Sequence, residues 1–378
     1  MNADATQLRP AWVEIDLDAV AANTALACRM AGSARMYVVC KGDGYGTGAV
    51  EIGRAALAGG ADALAVGSPL DAIALRRAGI TCPILLYACS VPDDAGAVAA
   101  LDVIVTVHDF ASLGAFAALG RPVDAFVKLD CGLGRLGFNP DEVAPALARM
   151  ADAPQLRLHG LYAHLARPEE PDAVERQMQA FTAACATAER MGFTGFERMV
   201  ASSRVLIGFP QWNLTAVNPG RFILGMLDPP WADRVALRPV VRAVKARIIQ
   251  VKDQPPGTFN YTAKGVRRAA VLPIGFGEGF PHRPPCHHVL VRGRPAPVLA
   301  GRGIEHTVID VTSIADVAVG DEAVLLGSQG DATITATALS EAIGVPILEL
   351  LPRLARNAPQ RYLRTVAMES SPPRYSLS

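Results

Sequence analysis

The chain lacks several features that mark whole classes of protein. It has no surplus charge of one sign: 36 basic residues balance 36 acidic ones over 378 positions. Nothing in that balance favours nucleic acid or an acidic membrane surface as a main partner. No apolar run approaches the roughly 20 residues needed to span a bilayer. Residues Met1 to Arg9 are polar and lack the apolar centre of a signal peptide, so a cytoplasmic location is expected. The seven cysteines, at positions 28, 40, 82, 89, 131, 185 and 286, are odd in number and show no metal-ligand spacing. They are expected to be free thiols, with no metal site. There is no internal repeat, no low-complexity run, and no dinucleotide fingerprint after the first strand.

What is present is apolar and regularly punctuated. About half of the residues are hydrophobic, enough to bury a large core. Eight short apolar runs alternate with Ala-rich helical patterns: Met36–Lys41, Ala63–Val66, Pro83–Tyr87, Val103–Val107, Ala125–Leu129, Leu158–His164, Met199–Ser202 and Thr215–Val217. Fully buried parallel strands followed by helices predict a (β/α)8 TIM-like barrel, with a doubly wound open sheet as the alternative. From about Leu237 the texture changes to short strands split by Gly, Pro and Asp turns. These are Val240–Val251, Arg268–Ile274, Val289–Val291, Ala296–Leu299, Val308–Val311 and Glu322–Leu326, with a helical pattern over 332–351. The expected division is therefore a barrel over residues 1–235 and a mainly antiparallel β domain over 236–378. The early segment Ala11–Leu17 precedes the barrel and is a candidate to join the β domain. The polar tail Glu369–Ser378 is expected to be loose.

A barrel enzyme carries its working residues at the C-terminal ends of its strands. The first run ends in Lys41 and breaks into Gly42-Asp-Gly-Tyr45-Gly-Thr-Gly48. A lysine at the mouth of a buried strand is costly unless paired, exposed or covalently used. The other reading of that segment is a surface lysine capping a strand beside a loop. Strand five ends in Val127-Lys128-Leu-Asp130-Cys-Gly-Leu-Gly-Arg135, strand six in Tyr162-Ala-His164, strand seven in Ala201-Ser-Ser203 and strand eight in Val217-Asn218-Pro-Gly220. Each is a weak signal alone; their shared register is what raises their weight. Cys40 and Cys131, beside these positions, read as core fillers rather than nucleophiles.

These segments resemble the alanine racemase family of fold-type III pyridoxal 5'-phosphate enzymes, and the resemblance runs nearly the length of the chain. It implies that Lys41 is the Schiff-base lysine and that Tyr45 touches the cofactor phosphate. Lys128-x-Asp130-x-Gly-Leu133-Gly-Arg135 matches a family pattern with Leu133 in place of Met. The resemblance implies that Arg135 meets the cofactor's phenolic oxygen and the substrate carboxylate, a task suited to its planar fork. Lys128 then becomes the possible carbamylated lysine that holds it. By the same resemblance His164 stacks or hydrogen-bonds near the ring. Ser203, with Ser202 in the family's Asn place, binds phosphate, as do the backbone N–H groups of the Gly220–Arg221 turn. In the second domain, Tyr261-Thr-Ala263, Pro273-Ile-Gly-Phe276-Gly-Glu-Gly-Phe280-Pro and Gly301-Arg302 to Asp310 also match. Part of this domain is expected to cover the barrel mouth of a second subunit, making a homodimer that acts on a small amino-acid substrate.

The departures bear on the chemistry. The family's second catalytic base, a tyrosine, is Phe276, and a phenyl ring cannot carry a proton. The arginine that meets the pyridine nitrogen, and holds it unprotonated, is Asn218. An amide can accept a hydrogen bond from a protonated ring or donate to a neutral one. The expected His four residues before Ser203 is Met199. The C-terminal phosphate-binding Tyr aligns with Pro352, with Arg353 beside it. The Met-Asp pair near the substrate is Ile304-Glu305. Three readings stay open. The first is a racemase or epimerase with a non-standard second acid/base, drawn from His164 or from Glu305 or His306 of the partner subunit. The second is a one-base lyase working through Lys41 alone, such as a decarboxylase, aldolase or dehydratase. The third is a non-catalytic cofactor-binding relative.

Overall fold

Eight short, mainly apolar strands make one parallel sheet in the computed structural model, which describes residues 9–253, 265–280, 287–299 and 303–364. Strand β1 (Ala11–Asp16) stands apart from them. The barrel strands are β2 (Arg35–Val39), β3 (Ala63–Val66), β4 (Ile84–Leu86), β5 (Val105–Val107), β6 (Val123–Leu129), β7 (Leu156–Ala163), β8 (Glu197–Ala201) and β9 (Ala216–Val217). They pair in the order β4-β3-β2-β9-β8-β7-β6-β5. The parallel bridge Leu85–Ile104 nearly closes the ring between β4 and β5. This is the expected (β/α)8 TIM-like barrel rather than an open sheet.

Alternation along each strand sorts side chains into two cores. Tyr37, Val39, Leu85, Phe126, Tyr162 and Met199 fill the barrel interior, whereas Met36, Val38, Leu64 and Val127 join the larger core. Inside the barrel the Tyr37 hydroxyl meets His159 Nε2 at 3.1 Å. His159 and Arg35 both face the Glu197 carboxylate, at 3.6 and 2.7 Å. These groups sit where strands β2 and β8 begin, at the end of the barrel away from Lys41.

Beyond the barrel come β10 (Val241–Arg247), β11 (Gln250–Asp253), β12 (Arg268–Leu272), β13 (His288–Val291), β14 (Arg294–Pro297), β15 (Thr307–Asp310), β16 (Glu322–Gln329), β17 (Ala332–Ile334) and β18 (Gln360–Leu363). One sheet runs β14-β13-β16-β10-β1-β18, with β17 on β16; a smaller one runs β11-β12-β15. All of these pairings are antiparallel except β1 with β18. The early strand does join this domain, as its apolar run suggested.

Two expected elements are divided. The single strand expected over Val240–Val251 changes sheets at Ile248–Ile249, where Ile248 N–H bonds Asp321 O and Ile249 N–H bonds Val271 O. The helical pattern over 332–351 becomes β17 and two helices, Ala336–Ile343 and Ile347–Asn357. They are parted at Gly344, whose φ of +71° suits glycine, and by Pro346. The motif Tyr261–Ala263, residues 301–302, Cys286 and the tail 369–378 lie outside the described residues. No helix among the described residues is long and apolar enough to cross a membrane.

Candidate active site

The turn after Lys41 is wound with the opposite hand to an ordinary helix. Gly42, Asp43, Gly44, Tyr45 and Gly46 all have positive φ, from 55° to 81°. Glycine adopts this freely, but Asp43 and Tyr45 do so at a cost of about 1–3 kcal/mol each. The surrounding chain therefore has to hold the turn. The Asp71 carboxylate accepts the Gly42 and Asp43 N–H groups at 3.0 and 3.2 Å. Asp43 Oδ1 accepts the Ala49 N–H at 2.8 Å, starting the helix Ala49–Ala58. From the far end of the chain, Arg356 donates to Gly42 O at 2.7 Å, Gln360 to Gly46 O at 2.7 Å, and Tyr362 to Thr47 O at 3.2 Å. Arg353, the cation beside the aligned Pro352, instead pairs with Glu349.

Lys41 lies on the barrel rim with its Nζ 5.8 Å from the centre of the Tyr45 ring. Partial removal from water, together with the Arg135 charge, lowers its pKa. Lys128 is buried; its Nζ donates to Leu129 O at 3.0 Å and lies 4.9 Å from the centre of the Tyr162 ring. Burial brings its pKa down to about 8, with Arg135 acting in the same direction. Arg135 follows a tight loop in which the Asp130 carboxylate gathers the N–H groups of Gly132, Leu133, Gly134 and Arg135 at 2.7–3.0 Å. Loss of water and then the charges of Lys128, Lys41, Arg135 and Arg204 push His164 down to about 4. It is therefore neutral at physiological pH, and the cations around it converge on one region.

Beside that region the backbone forms a cradle. Ser203 Oγ accepts N–H groups from Gly220 and Phe222 at 3.1 and 3.0 Å. A Cβ on Gly220 would come within 2.5 Å of the Tyr45 hydroxyl and 3.1 Å of Val39. Only glycine at 220 lets the backbone approach Tyr45 this closely. Arg221 turns its guanidinium away, to Asp228 and to Met226 O. Asn218 is buried, donates Nδ2 to the Tyr87 hydroxyl at 3.0 Å, and leaves Oδ1 without a partner. Hydroxyls, a glycine cradle, a low-pKa amine and surrounding cations suit a phosphate-bearing aldehyde such as pyridoxal phosphate.

The remaining expected residues form a second cluster on the β domain. Phe276 N–H bonds Gly303 O at 3.2 Å, and Gly277 N–H bonds Ile304 O at 2.7 Å. Phe276 and Ile304 are 43% and 61% exposed, a high figure for apolar side chains, and Glu305 and His306 are exposed beside them. Met199 is an interior barrel residue, fully buried in the Phe126–Tyr162 cluster. Sequence reasoning missed Asp71, Tyr87, Arg356, Gln360 and Tyr362. Asp71 carried a signal as an acid in the first turn of a Ser-capped helix, and Tyr87 as the polar end of the run Pro83–Tyr87. Among the described residues no group of three His, Cys, Asp or Glu is placed to hold a metal.

A nearly closed eight-stranded parallel barrel followed by a mainly antiparallel β domain defines a class of two-domain barrel proteins. Comparison with known proteins narrows it. Residues 15–228 match the alanine racemase N-terminal domain model and residues 241–362 the C-terminal one. An alanine racemase from Symbiobacterium thermophilum is 33% identical, over 95% of this chain and 98% of its own length. One from Methanococcus maripaludis is 29% identical over 94% and 99%. A crystal structure of the Bacillus anthracis alanine racemase with bound L-Ala-P has a TM-score of 0.86 at 27% identity, covering 94% of this chain and 96% of that one. The Streptomyces coelicolor alanine racemase gives 0.84 at 29%, covering 95% and 100%. The chain belongs to the alanine racemase family, a family of pyridoxal-phosphate-dependent enzymes of racemase type.

Proposed function

We propose that this chain acts at the α-carbon of a small amino acid or close derivative, as a racemase or epimerase whose second acid/base is not the family's tyrosine. The observation that carries this is Lys41, an amine of lowered pKa on the barrel rim beside Tyr45, Arg135 and His164. When bound, pyridoxal phosphate withdraws electrons from the α-carbon and weakens its C–H bond. Lys41 anchors the cofactor and, as a free amine, takes up or returns the α-proton. Tyr45, Ser203 and the Gly220–Arg221 backbone hold the phosphate, and Asn218 meets the ring nitrogen. Arg135 is the fork for the substrate carboxylate, with Ile304 bordering the substrate. Lys128, with a pKa near 8, has enough free amine to be carbamylated and then to pair with Arg135. We take the boundary between the two domains near residue 235, with strand β1 counted in the second domain's sheet, and a homodimer as the working form. The exposed Phe276–His306 cluster then meets the barrel mouth of the other subunit, where Glu305 or His306 of the partner subunit completes the acid/base pair. His164, neutral at working pH, is the in-chain candidate for that role.

Phe276 itself favours a second reading. With no proton carrier there, a lyase that uses Lys41 alone is the alternative. Deuterium uptake at Cα separates the two: a racemase exchanges both enantiomers and interconverts them, whereas a one-base enzyme exchanges one and releases carbon dioxide or an aldehyde. Phe276→Tyr is expected to raise alanine racemisation about a hundredfold, the usual reach of a well-placed acid/base. A wild type that already racemises alanine rapidly, with no change in the variant, would show that another residue is the second base.

A further inference from the structure

Asn218 and Tyr87 form a hydrogen-bonded pair at the barrel mouth. Asn218 is 8% exposed and follows β9; Tyr87 follows β4, three strands around the ring. Tyr87 is fixed from several sides. Its N–H bonds Val66 O at 3.0 Å, and its ring lies 5.8 Å from that of Tyr162. Burial of its hydroxyl pushes its pKa far above the usual phenol value, so it stays neutral. Its oxygen accepts the Asn218 Nδ2 at 3.0 Å. That bond fixes the plane of the amide and leaves Oδ1 buried and unpaired. A buried amide oxygen with no donor is destabilising, so a fold that keeps one has a reason to be sought.

We propose that Tyr87 is a positioning residue that turns Asn218 so that its free amide oxygen accepts a hydrogen bond from the protonated pyridine nitrogen of the bound cofactor. The inference rests on the reading that Asn218 meets that nitrogen. An arginine in this place only donates, and so favours a bare nitrogen. An amide whose Nδ2 is turned to Tyr87 presents Oδ1 on its other side, where it can only accept, and so favours N–H. A protonated ring draws electrons more strongly from the α-carbon, which lessens the demand on the proton carrier opposite Lys41. The loss of arginine at 218 and the loss of tyrosine at 276 then belong together.

The test is the 15N signal of pyridoxal phosphate, labelled at the ring nitrogen and bound to the whole enzyme without substrate. Protonated and bare pyridine nitrogens are far apart in this measurement. Wild type is expected to give the protonated signal near neutral pH. Tyr87→Phe is expected to lower the pH at which that proton leaves, and Asn218→Arg to abolish the protonated signal while Tyr87 stays intact. Asn218→Asp, which keeps an acceptor without needing Tyr87, is expected to retain it, also when combined with Tyr87→Phe. A bare nitrogen in wild type that is bound to Lys41 overturns this inference and leaves the proposed function standing. Failure of wild type to bind the cofactor at all overturns both. A Tyr87→Phe enzyme whose nitrogen titrates as in wild type overturns the positioning role.

Discussion

Replacing Asp71 by Asn tests whether the left-handed turn is held in place or merely tolerated. Both carboxylate oxygens accept an N–H from the turn, one from Gly42 and one from Asp43. An amide keeps one acceptor and sets an NH2 group against the other N–H. A hydrogen bond to a charged group contributes about 1.5–3 kcal/mol, and an orphaned N–H costs about 1–3 kcal/mol. The loss matches the strain of holding Asp43 and Tyr45 at positive φ, so the turn should relax and carry Lys41 and the Tyr45 hydroxyl with it. Expressed in cofactor affinity, about 2–3 kcal/mol is roughly a 30- to 150-fold weakening. Titration of the apoenzyme with pyridoxal phosphate, followed by absorbance, measures it. The control is Ser68→Ala, which removes the Oγ that caps the same helix at Leu70 N–H and leaves the turn untouched. That variant should lose about 1 kcal/mol of stability and no affinity. If Asp71→Asn binds the cofactor as tightly as wild type, the turn holds itself and the reasoning is wrong.

Three further outcomes are expected. Lys41→Ala should lose the cofactor's visible absorbance and all activity; a borohydride-reducible adduct in that variant would move the Schiff base elsewhere, with Lys128 the next position to examine. Gly48→Ala should fail to bind cofactor normally, because its Cβ would overlap the Tyr362 hydroxyl at a φ of +89°, and pairing it with Tyr362→Phe should restore only part of the loss. Burial pushes the Glu197 carboxyl up, but hydrogen bonds from His159 and Tyr37 and the Arg35 charge outweigh this, so its folded pKa is lowered. Its contribution is therefore complete above the ordinary glutamate range, near 4.3, and disappears as pH falls through the folded value. Glu197→Gln should cost about 1–3 kcal/mol at pH 7 and flatten the acid limb of a Tm-against-pH curve, and an unchanged limb would count against the network.

The barrel is legible in the sequence because parallel strands covered on both faces are rich in apolar residues on both sides, so most runs have clear ends. Lys41 stands out for the same reason, as the first charge after such a run. The β domain is less legible. Its strands are half polar, and β18, with Gln360, Arg361 and Tyr362, has no apolar pattern at all. It is specified by the backbone of β1, some 350 residues earlier. The site shows the same division. Residues that share a strand end can be found by register. Asp71, Arg356 and Tyr87 act through one or two hydrogen bonds across 28 to 314 positions, which no local pattern encodes.

The hold of Arg356, Gln360 and Tyr362 on the Lys41 turn has a consequence for how the protein is made. The lysine leaves the ribosome more than 300 residues before the groups that secure its turn. Until the last strand is synthesised and slides in beside the first, the turn lacks three of its anchors and the amine has no settled position. The settled turn thus requires residues 356–362 to be in place. A polypeptide that stops at residue 355 carries every barrel strand and the lysine, yet should be inert. Residues 356–362 act on the lysine turn as well as on their own sheet, and a fusion made upstream of Leu363 should disturb both.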